Sequence, residues 1–321
     1  MVSDASAPVP EPGEVVVLGE ILLELTSREP FRNGVPMRLG FSGDALNAAA
    51  AAAAAGAQTS LLARVPDDEL GDRLVDRVRE LGVDTSLLIR TAGQHGLYLQ
   101  HADPQGAREF VYVRSGSAGS QLSVEDLPLD RVAAAGAVLA SGIACAISSS
   151  CFGAVTAAAK AARCFIYDPN WRPRLVDAET AAGHLRALAP YARLITPAWP
   201  REVTALLGTD PVDPRQAIRD LRSLGARAVA LTQGADGVLV DDEPIVLHQP
   251  AFAVDEIVDQ TGAGDVLAGT VAARLALGDP LPTAVRLGAA AAALSLRGHG
   301  GTGWLAPLEQ TRALAESEVR A

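Results

Sequence analysis

The chain predicts an α/β fold of three layers: a mostly parallel central sheet covered by helices on both faces, with a small β-sheet lid. Three observations carry that expectation. From Ala137 onward short apolar runs alternate with helical ones, the rhythm of βα units. Two early stretches, about 20–42 and 95–115, are extended in pattern and fall outside that rhythm, which suggests a separate small sheet. The run Asp259-Gln260-Thr261-Gly262-Ala263-Gly264-Asp265 lies between a strand-like and a helical segment, so a glycine-rich turn opens a helix.

The elements follow in order. Residues 1–13 are Pro- and Ala-rich, with no basic or apolar leader region, and are expected to form a loose tail. Residues 15–19 make a short buried strand ending in Gly19. Residues 21–25 and 36–41 are extended, with turn-like 28–34 between them. Residues 44–55 form an unbroken helical run stopped by Gly56. Its alanine tract implies a helix packed very closely against a sheet. Residues 59–63 are a strand, and 69–81 an amphipathic helix ended by Gly82. Residues 96–101 and 109–114 alternate around Asp103-Pro104-Gln105-Gly106, a β-hairpin pattern. Strands at 138–140, 164–167, 193–195 and 228–232 then alternate with helices at 151–162, 178–188, 201–207 and 214–224. A hairpin spans 238–247, residues 252–258 alternate as a strand, and 266–277 read as a helix. The expectation is one α/β domain over 14–310 with the lid strands inserted, and a helix end or tail over 311–321.

Composition bounds the function. With 321 residues, 49% hydrophobic and 20% charged, the chain can bury one large α/β core or two small ones. A net charge of −11 argues against nucleic acid or an acidic membrane surface as a general partner. Cys145, Cys151 and Cys164 are odd in number and lack metal-ligand spacing, which fits a reducing cytoplasm. No uninterrupted apolar run outside the alanine tracts reaches the roughly 18 residues of a membrane span. There is no Gly-x-x-x-x-Gly-Lys-Ser/Thr loop, no His-Glu-x-x-His and no Gly-x-Ser-x-Gly. The Gly/Ser-rich stretch 115–120 has no His–Asp partner in view and reads as a loop.

The turn at 259–265 carries the chemistry. A glycine-rich turn at a helix N-terminus offers free N–H groups and the positive end of the helix dipole, an anion site. Asp265 puts a carboxylate in the first turn, where it would repel a phosphate that was merely held. A site that transfers a phosphoryl group needs both parts: donors for the phosphate and an acceptor for the attacking hydroxyl's proton. A plain strand-to-helix turn and a dinucleotide fingerprint are the alternatives. The fingerprint fits poorly, because it should open a βαβ unit with an acid about 20 residues on.

Taken together these residues resemble the ribokinase-like (PfkB-type) carbohydrate kinase family, over about 13–302. The late signature is Asp259 to Asp265, and the early one is Ser42-Gly43-Asp44-Ala45-Leu46-Asn47. Within the family the chain is most similar to 2-keto-3-deoxygluconate kinases. That likeness rests on Gly96-Leu97-Tyr98-Leu99, Tyr112-Val113-Arg114, Ser141-Gly142-Ile143 and Asp168-Pro169-Asn170-Trp171-Arg172-Pro173-Arg174-Leu175. The resemblance implies a ribokinase-like fold and an ATP- and Mg²⁺-dependent kinase of a hydroxymethyl group. It implies Asp265 as base and Gly262, Ala263 and Gly264 as anion hole. Gly43, Asn47, Tyr98, Tyr112, Arg114, Asn170 and Arg172 would surround the sugar acid. Thr232, Gly234, Gly237 and Thr261 would lie along the nucleotide, with Gly262 and Gly264. The arginines suit a carboxylate, for which the planar guanidinium is the natural partner. The helix N-terminus should lower the pKa of Asp265 and make it a weak base, tolerable in a loose transition state.

Four departures stand out. Ser42 replaces the first glycine of the early signature, and Pro66 stands where the family usually has Gly. Asp44 adds a carboxylate near the sugar, either bonding a hydroxyl or capping the alanine-rich helix. The Asn-x-x-Glu motif that helps organise Mg²⁺ keeps only its acid, Glu202, as an indirect metal contact. A neutral-sugar kinase of fructokinase or ribokinase type, a non-catalytic sugar-binding protein and, more distantly, a nicotinamide dehydrogenase are the competing readings. Exposed lid edges suggest a homodimer.

Overall fold

The computed structural model describes residues 13–102, 108–209 and 213–317. The expected N-terminal tail and the tip of the 103–106 turn lie outside these, except for Gly13. In chain order the elements begin β1 (Val15–Leu18), β2 (Leu22–Ser27), β3 (Arg38–Ser42), α1 (Asp44–Ala54), β4 (Thr59–Pro66), α2 (Glu69–Glu80), β5 (Leu88–Thr91), β6 (Leu97–Ala102) and β7 (Arg108–Val113). There follow α3 (Leu129–Ala134), β8 (Ala137–Ser141), α4 (Gly142–Ile147), α5 (Ser149–Ala161), β9 (Phe165–Asp168), α6 (Ala178–Leu188), β10 (Ala192–Ile195), α7 (Arg201–Leu207) and α8 (Pro214–Ser223). The chain closes with β11 (Val229–Thr232), β12 (Val238–Asp242), β13 (Ile245–Gln249), α9 (Ala263–Ala276), α10 (Leu281–Ser295) and α11 (Leu308–Ser317).

Nine strands make the central sheet, in the order β13-β12-β11-β10-β9-β8-β1-β4-β5. All pairs are parallel except the β11–β12–β13 meander. Because strand side chains alternate, each strand feeds two cores. Val15, Val17, Leu61, Leu139 and Ile166 join one core with Leu46, Leu267, Val271 and Val285 of α1, α9 and α10. Val16, Leu18, Leu62, Val138 and Phe165 join the other with Val155, Leu185, Val203 and Ile218 of α5 to α8. Each such aliphatic side chain contributes about 1.5–3 kcal/mol on burial. This is the expected three-layer α/β architecture.

The early extended pieces form a second sheet, ordered β3-β2-β6-β7. Its register puts Gly40, Glu24, Tyr98 and Tyr112 in one row. The next row, pointing to the other face, is Leu39, Leu25, Leu99 and Val111. A single period-2 pattern thus makes a lid with a polar, aromatic underside and an aliphatic outer face.

Some expectations change. Residues 252–258 alternate but form no strand; at their end the amides of Val258 and Asp259 donate to Leu296 O, at the end of α10. α9 starts at Ala263, three residues earlier than its apolar periodicity indicates. α1 packs on the sheet as expected and as tightly on a helix: a Cβ on Gly269 of α9 would stand 2.1 Å from Ala48 O. α4 was not legible as a helix. It forms because Ser141 accepts from the amides of Ile143 and Ala144 at its start.

Candidate active site

A cavity of about 490 Å³ opens at the carboxyl ends of the parallel strands, under the lid. The sheet sends Asp168 (end of β9), Thr196 (after β10) and Thr232 (end of β11) into it. The starts of α1 and α9 supply Gly43, Asp44, Asn47 and the 262–265 turn, and the lid supplies Leu22, Ser42, Tyr98, Tyr112 and Arg114. The loop after β9 adds Asn170 and Arg172. Segments more than 200 residues apart in sequence therefore meet in one cavity. Gly234 and Gly237 are outside its lining. Gly237 is a glycine for a local reason: at φ 91° its Cβ would meet Gln249 O at 2.1 Å.

Asp265 is fixed from both sides. Asn47 Nδ2 donates to its Oδ2 at 2.9 Å, and Asn170 Nδ2 to its Oδ1 at 3.1 Å. Asn170 can reach because its backbone is left-handed, φ 42°, a region asparagine tolerates. The expected depression of the Asp265 pKa is overturned. Burial, then repulsion by Asp44, raises it from 3.8 to about 7, against the pull of the Asn47, Arg172 and Asn170 partners. The carboxylate is a stronger base than its position in the sequence implies.

The glycines of the turn have different reasons. Gly262 is the left-handed N-cap of α9, φ 81°, and its Cβ would lie 2.6 Å from Gly301 Cα. A Cβ on Gly264 would meet no protein atom within 4 Å. The fold requires the first glycine, while the second leaves open space beside the helix N-terminus. Asp259 braces the turn: it accepts from the Thr261 amide and hydroxyl at 3.0 and 2.8 Å and from the Gly300 amide at 2.9 Å.

The remaining predicted residues divide. Arg172 is largely exposed and bonds only its neighbour's carbonyl, Trp171 O, at 3.3 Å. Arg114 is buried beneath the lid, with Nη1 2.6 Å from Glu20 Oε1 and its guanidinium 4.6 Å from the centre of the Tyr112 ring. Tyr98 donates its hydroxyl to Glu24, while Ser42 donates to Tyr98, so Ser42 supports the lid instead of opening the backbone to the sugar. Asp44 accepts from the Ser141 hydroxyl and lies in the first turn of α1, whose N-cap is Gly43. It is therefore not the cap, and it lines the cavity. Both carboxylate oxygens of Glu202 accept backbone amides, from Trp171 and, at 2.6 Å, Ala198. It braces two loops as it lines the cavity. Asp168, Gln260, Ile143, Thr196, Ala198 and Leu22 also line it. Asp168 was visible only as the first residue of the Asp-Pro-Asn run, and nothing local marked it as facing the cavity. Its pKa is pushed well up by burial, then by Glu202 and Asp265.

Comparison with known proteins fits this geometry. The model of the pfkB family carbohydrate kinases matches residues 13–307. The chain belongs to that family. It is 33% identical to the 2-dehydro-3-deoxygluconokinase of Thermoproteus tenax, over 88% of this chain and 90% of that one. It is 29% identical to the 2-dehydro-3-deoxygalactonokinase of Haloferax volcanii, over 94% and 96%. The solved PfkB protein of Polaromonas sp. JS666 superposes with a TM-score of 0.81 at 26% identity, covering 95% and 99%. Membership makes this protein a carbohydrate kinase and implies ATP as phosphoryl donor. Among the described residues no helix is long and apolar enough to cross a membrane.

Proposed function

We propose that this carbohydrate kinase phosphorylates the terminal hydroxymethyl group of a keto-deoxy sugar acid, with 2-keto-3-deoxygluconate first among them. The observation that carries the reading is a half-buried Asp265, held by Asn47 and Asn170 beside the open helix start at 262–264. Asp265 takes the proton of the attacking hydroxyl as its oxygen bonds to the γ-phosphorus and the bond to the ADP oxygen breaks. The amides at 262–264 face the charge of the transferring group. Tyr98, Tyr112 and Asp44 bound the sugar, and Arg172 and Arg114 are the cations within reach of its carboxylate. Thr232 and Thr261 lie along the nucleotide.

Among the described residues no group of three or more His, Cys, Asp or Glu side chains is arranged to hold a metal. Asp168 and Glu202 nevertheless share the cavity wall, and the charge of Glu202 raises the pKa of Asp168. A cation arriving with the nucleotide would relieve that repulsion. Mg²⁺, which keeps water and phosphate oxygens as ligands, fits such a sparse donor set. Bound with ATP, it supplies charge neutralisation on the phosphates.

The second reading, a kinase of a neutral ketose or pentose, is favoured by one observation: Arg114 is already paired with Glu20. An ADP-release assay with ATP and Mg²⁺ separates the two. Turnover is expected on 2-keto-3-deoxygluconate or its galactonate epimer, with fructose and ribose at least tenfold lower in kcat/KM. Turnover on the neutral sugars alone would sink the sugar-acid reading and keep the mechanism.

The aliphatic lid face, with Leu39, Val111 and Val113 between 42% and 50% exposed, is proposed to be covered by a second copy of the chain. Sedimentation at micromolar protein should give twice the 33.1 kDa chain mass. Val111→Asp should return it to monomer, and a wild-type monomer would refute the idea.

A further inference from the structure

Glu20 stands outside the cavity lining, yet it holds Arg114, the one lid cation among the described residues that faces the substrate space. It lies between β1 and β2, where the chain first crosses from the central sheet to the lid; Arg114 follows β7, where the chain returns. Glu20 is 1% exposed and the Arg114 side chain 9%. Their single short bond leaves Glu20 Oε2 and Arg114 Nε both buried without a partner. Around Glu20 the walls are glycines. A Cβ on Gly96 would come within 3.5 Å of Oε2, and one on Gly119 within 3.0 Å of the Glu20 Cβ. The slot thus admits the carboxylate and gives it no donor apart from Arg114 among the described residues. A buried ion pair that leaves a donor and an acceptor unmet is poor as a stabilising device. Its arrangement makes sense if the guanidinium must keep part of its fork for something else, and Arg114 does line the cavity.

We propose that Glu20 is a positioning residue that sets how much positive charge Arg114 offers to the substrate, and so how far the kinase discriminates a sugar acid from a neutral sugar. Paired with Glu20, Arg114 is held under the lid and partly neutralised. An anionic substrate must compete for it, while a neutral sugar meets no unpaired buried cation. The other acid near Glu20 is Asp44 on α1, which repels it and faces the same cavity. The proposal deepens the sugar-acid reading, yet its test is independent of that reading, because it follows a ratio.

Glu20→Gln keeps an acceptor for Nη1 and removes the charge. The ratio of kcat/KM for 2-keto-3-deoxygluconate to that for fructose should rise about tenfold, through KM for the acid, whichever substrate the wild type prefers. Glu20→Asp keeps the charge while shortening its reach. It should hold the wild-type ratio within about twofold even if both activities fall. If Glu20→Gln changes acid and neutral substrates by the same factor, Glu20 is structural and the proposal is overturned. If Glu20→Gln does not fold, Glu20→Ala, which also removes the charge, decides by the same ratio: a rise toward the acid of about tenfold would support the idea, and an unchanged ratio would overturn it. Failure of the sugar-acid reading is seen separately, as a wild type that turns over only the neutral sugar.

Discussion

Asp265→Asn should lower kcat by about 10²–10⁴-fold, with KM for the sugar changed only a few-fold. The variant keeps the volume of the side chain and loses the proton acceptor. It also sets one amide against the Nδ2 of Asn47 or Asn170, which both donate to the wild-type carboxylate. One hydrogen bond is lost, and a half-buried charge repelled by Asp44 is removed with it. These oppose each other, so the melting temperature should move by no more than a few degrees, about 1 kcal/mol in this size range. A kcat within tenfold of wild type would remove Asp265 from the chemistry.

The same carboxylate fixes a pH dependence. Its pKa in the fold is about 7, so wild-type kcat/KM for the sugar should rise with pH, with unit slope below about 7, and level off above. Asp44→Asn removes the repelling neighbour and should move that limb to lower pH. The stability sign is opposite to that of an ordinary salt-bridged acid. The folded pKa lies above the unfolded 3.8, so the fold binds this proton more tightly. The contribution to stability is full below the unfolded value and declines as pH rises through 7. Asp265→Asn should therefore shrink the melting-temperature difference between pH 5.5 and pH 8.

The second large effect separates two glycines that look alike in the motif. Gly264→Ala should fold as well as wild type, since the new methyl meets no protein atom within 4 Å and alanine favours a helix. Its rate should fall about 10²-fold, as the methyl occupies the space beside the helix-start amides. Gly262→Ala should fail for another reason. At φ 81° and 2.6 Å from Gly301 Cα it should cost about 1–3 kcal/mol and lower the melting temperature. Far-ultraviolet circular dichroism melts beside initial rates would distinguish them. Full activity in Gly264→Ala would mean that no phosphate uses that space.

Much of the fold was readable because it rests on local rules. Period-2 apolar runs and helix stops placed most of the parallel strands and the helices between them, and the misfit of the early pieces marked the lid. Residues 252–258 show the limit. Alternation is necessary for a strand but not sufficient: at the end of this stretch the amides of Val258 and Asp259 go to the end of a helix. α4 was missed because its start depends on Ser141, whose capping role appears only once the chain is folded.

The candidate site divides along the same line. The 259–265 turn was legible in the chain, since its glycines and carboxylate are adjacent in sequence, while Asn47, Tyr98, Tyr112, Arg114 and Arg172 were named through the resemblance to the carbohydrate kinases. What each residue faces was not. Asp265 is raised and not lowered because burial and Asp44, 221 positions away, outweigh Asn47, Arg172 and Asn170. Arg114 is paired because Glu20, on the other lid crossing, shares its slot. Asp168 and Glu202 repel only because the end of β9 and the start of α7 meet at one wall. The sequence by itself determined the layers, the lid and the glycine-rich turn at the start of a helix, because these follow from periodicity and backbone freedom within a few residues. Charge balance was decided only by tertiary structure, because electrostatics depends on distance and solvent exclusion between groups that the chain keeps far apart.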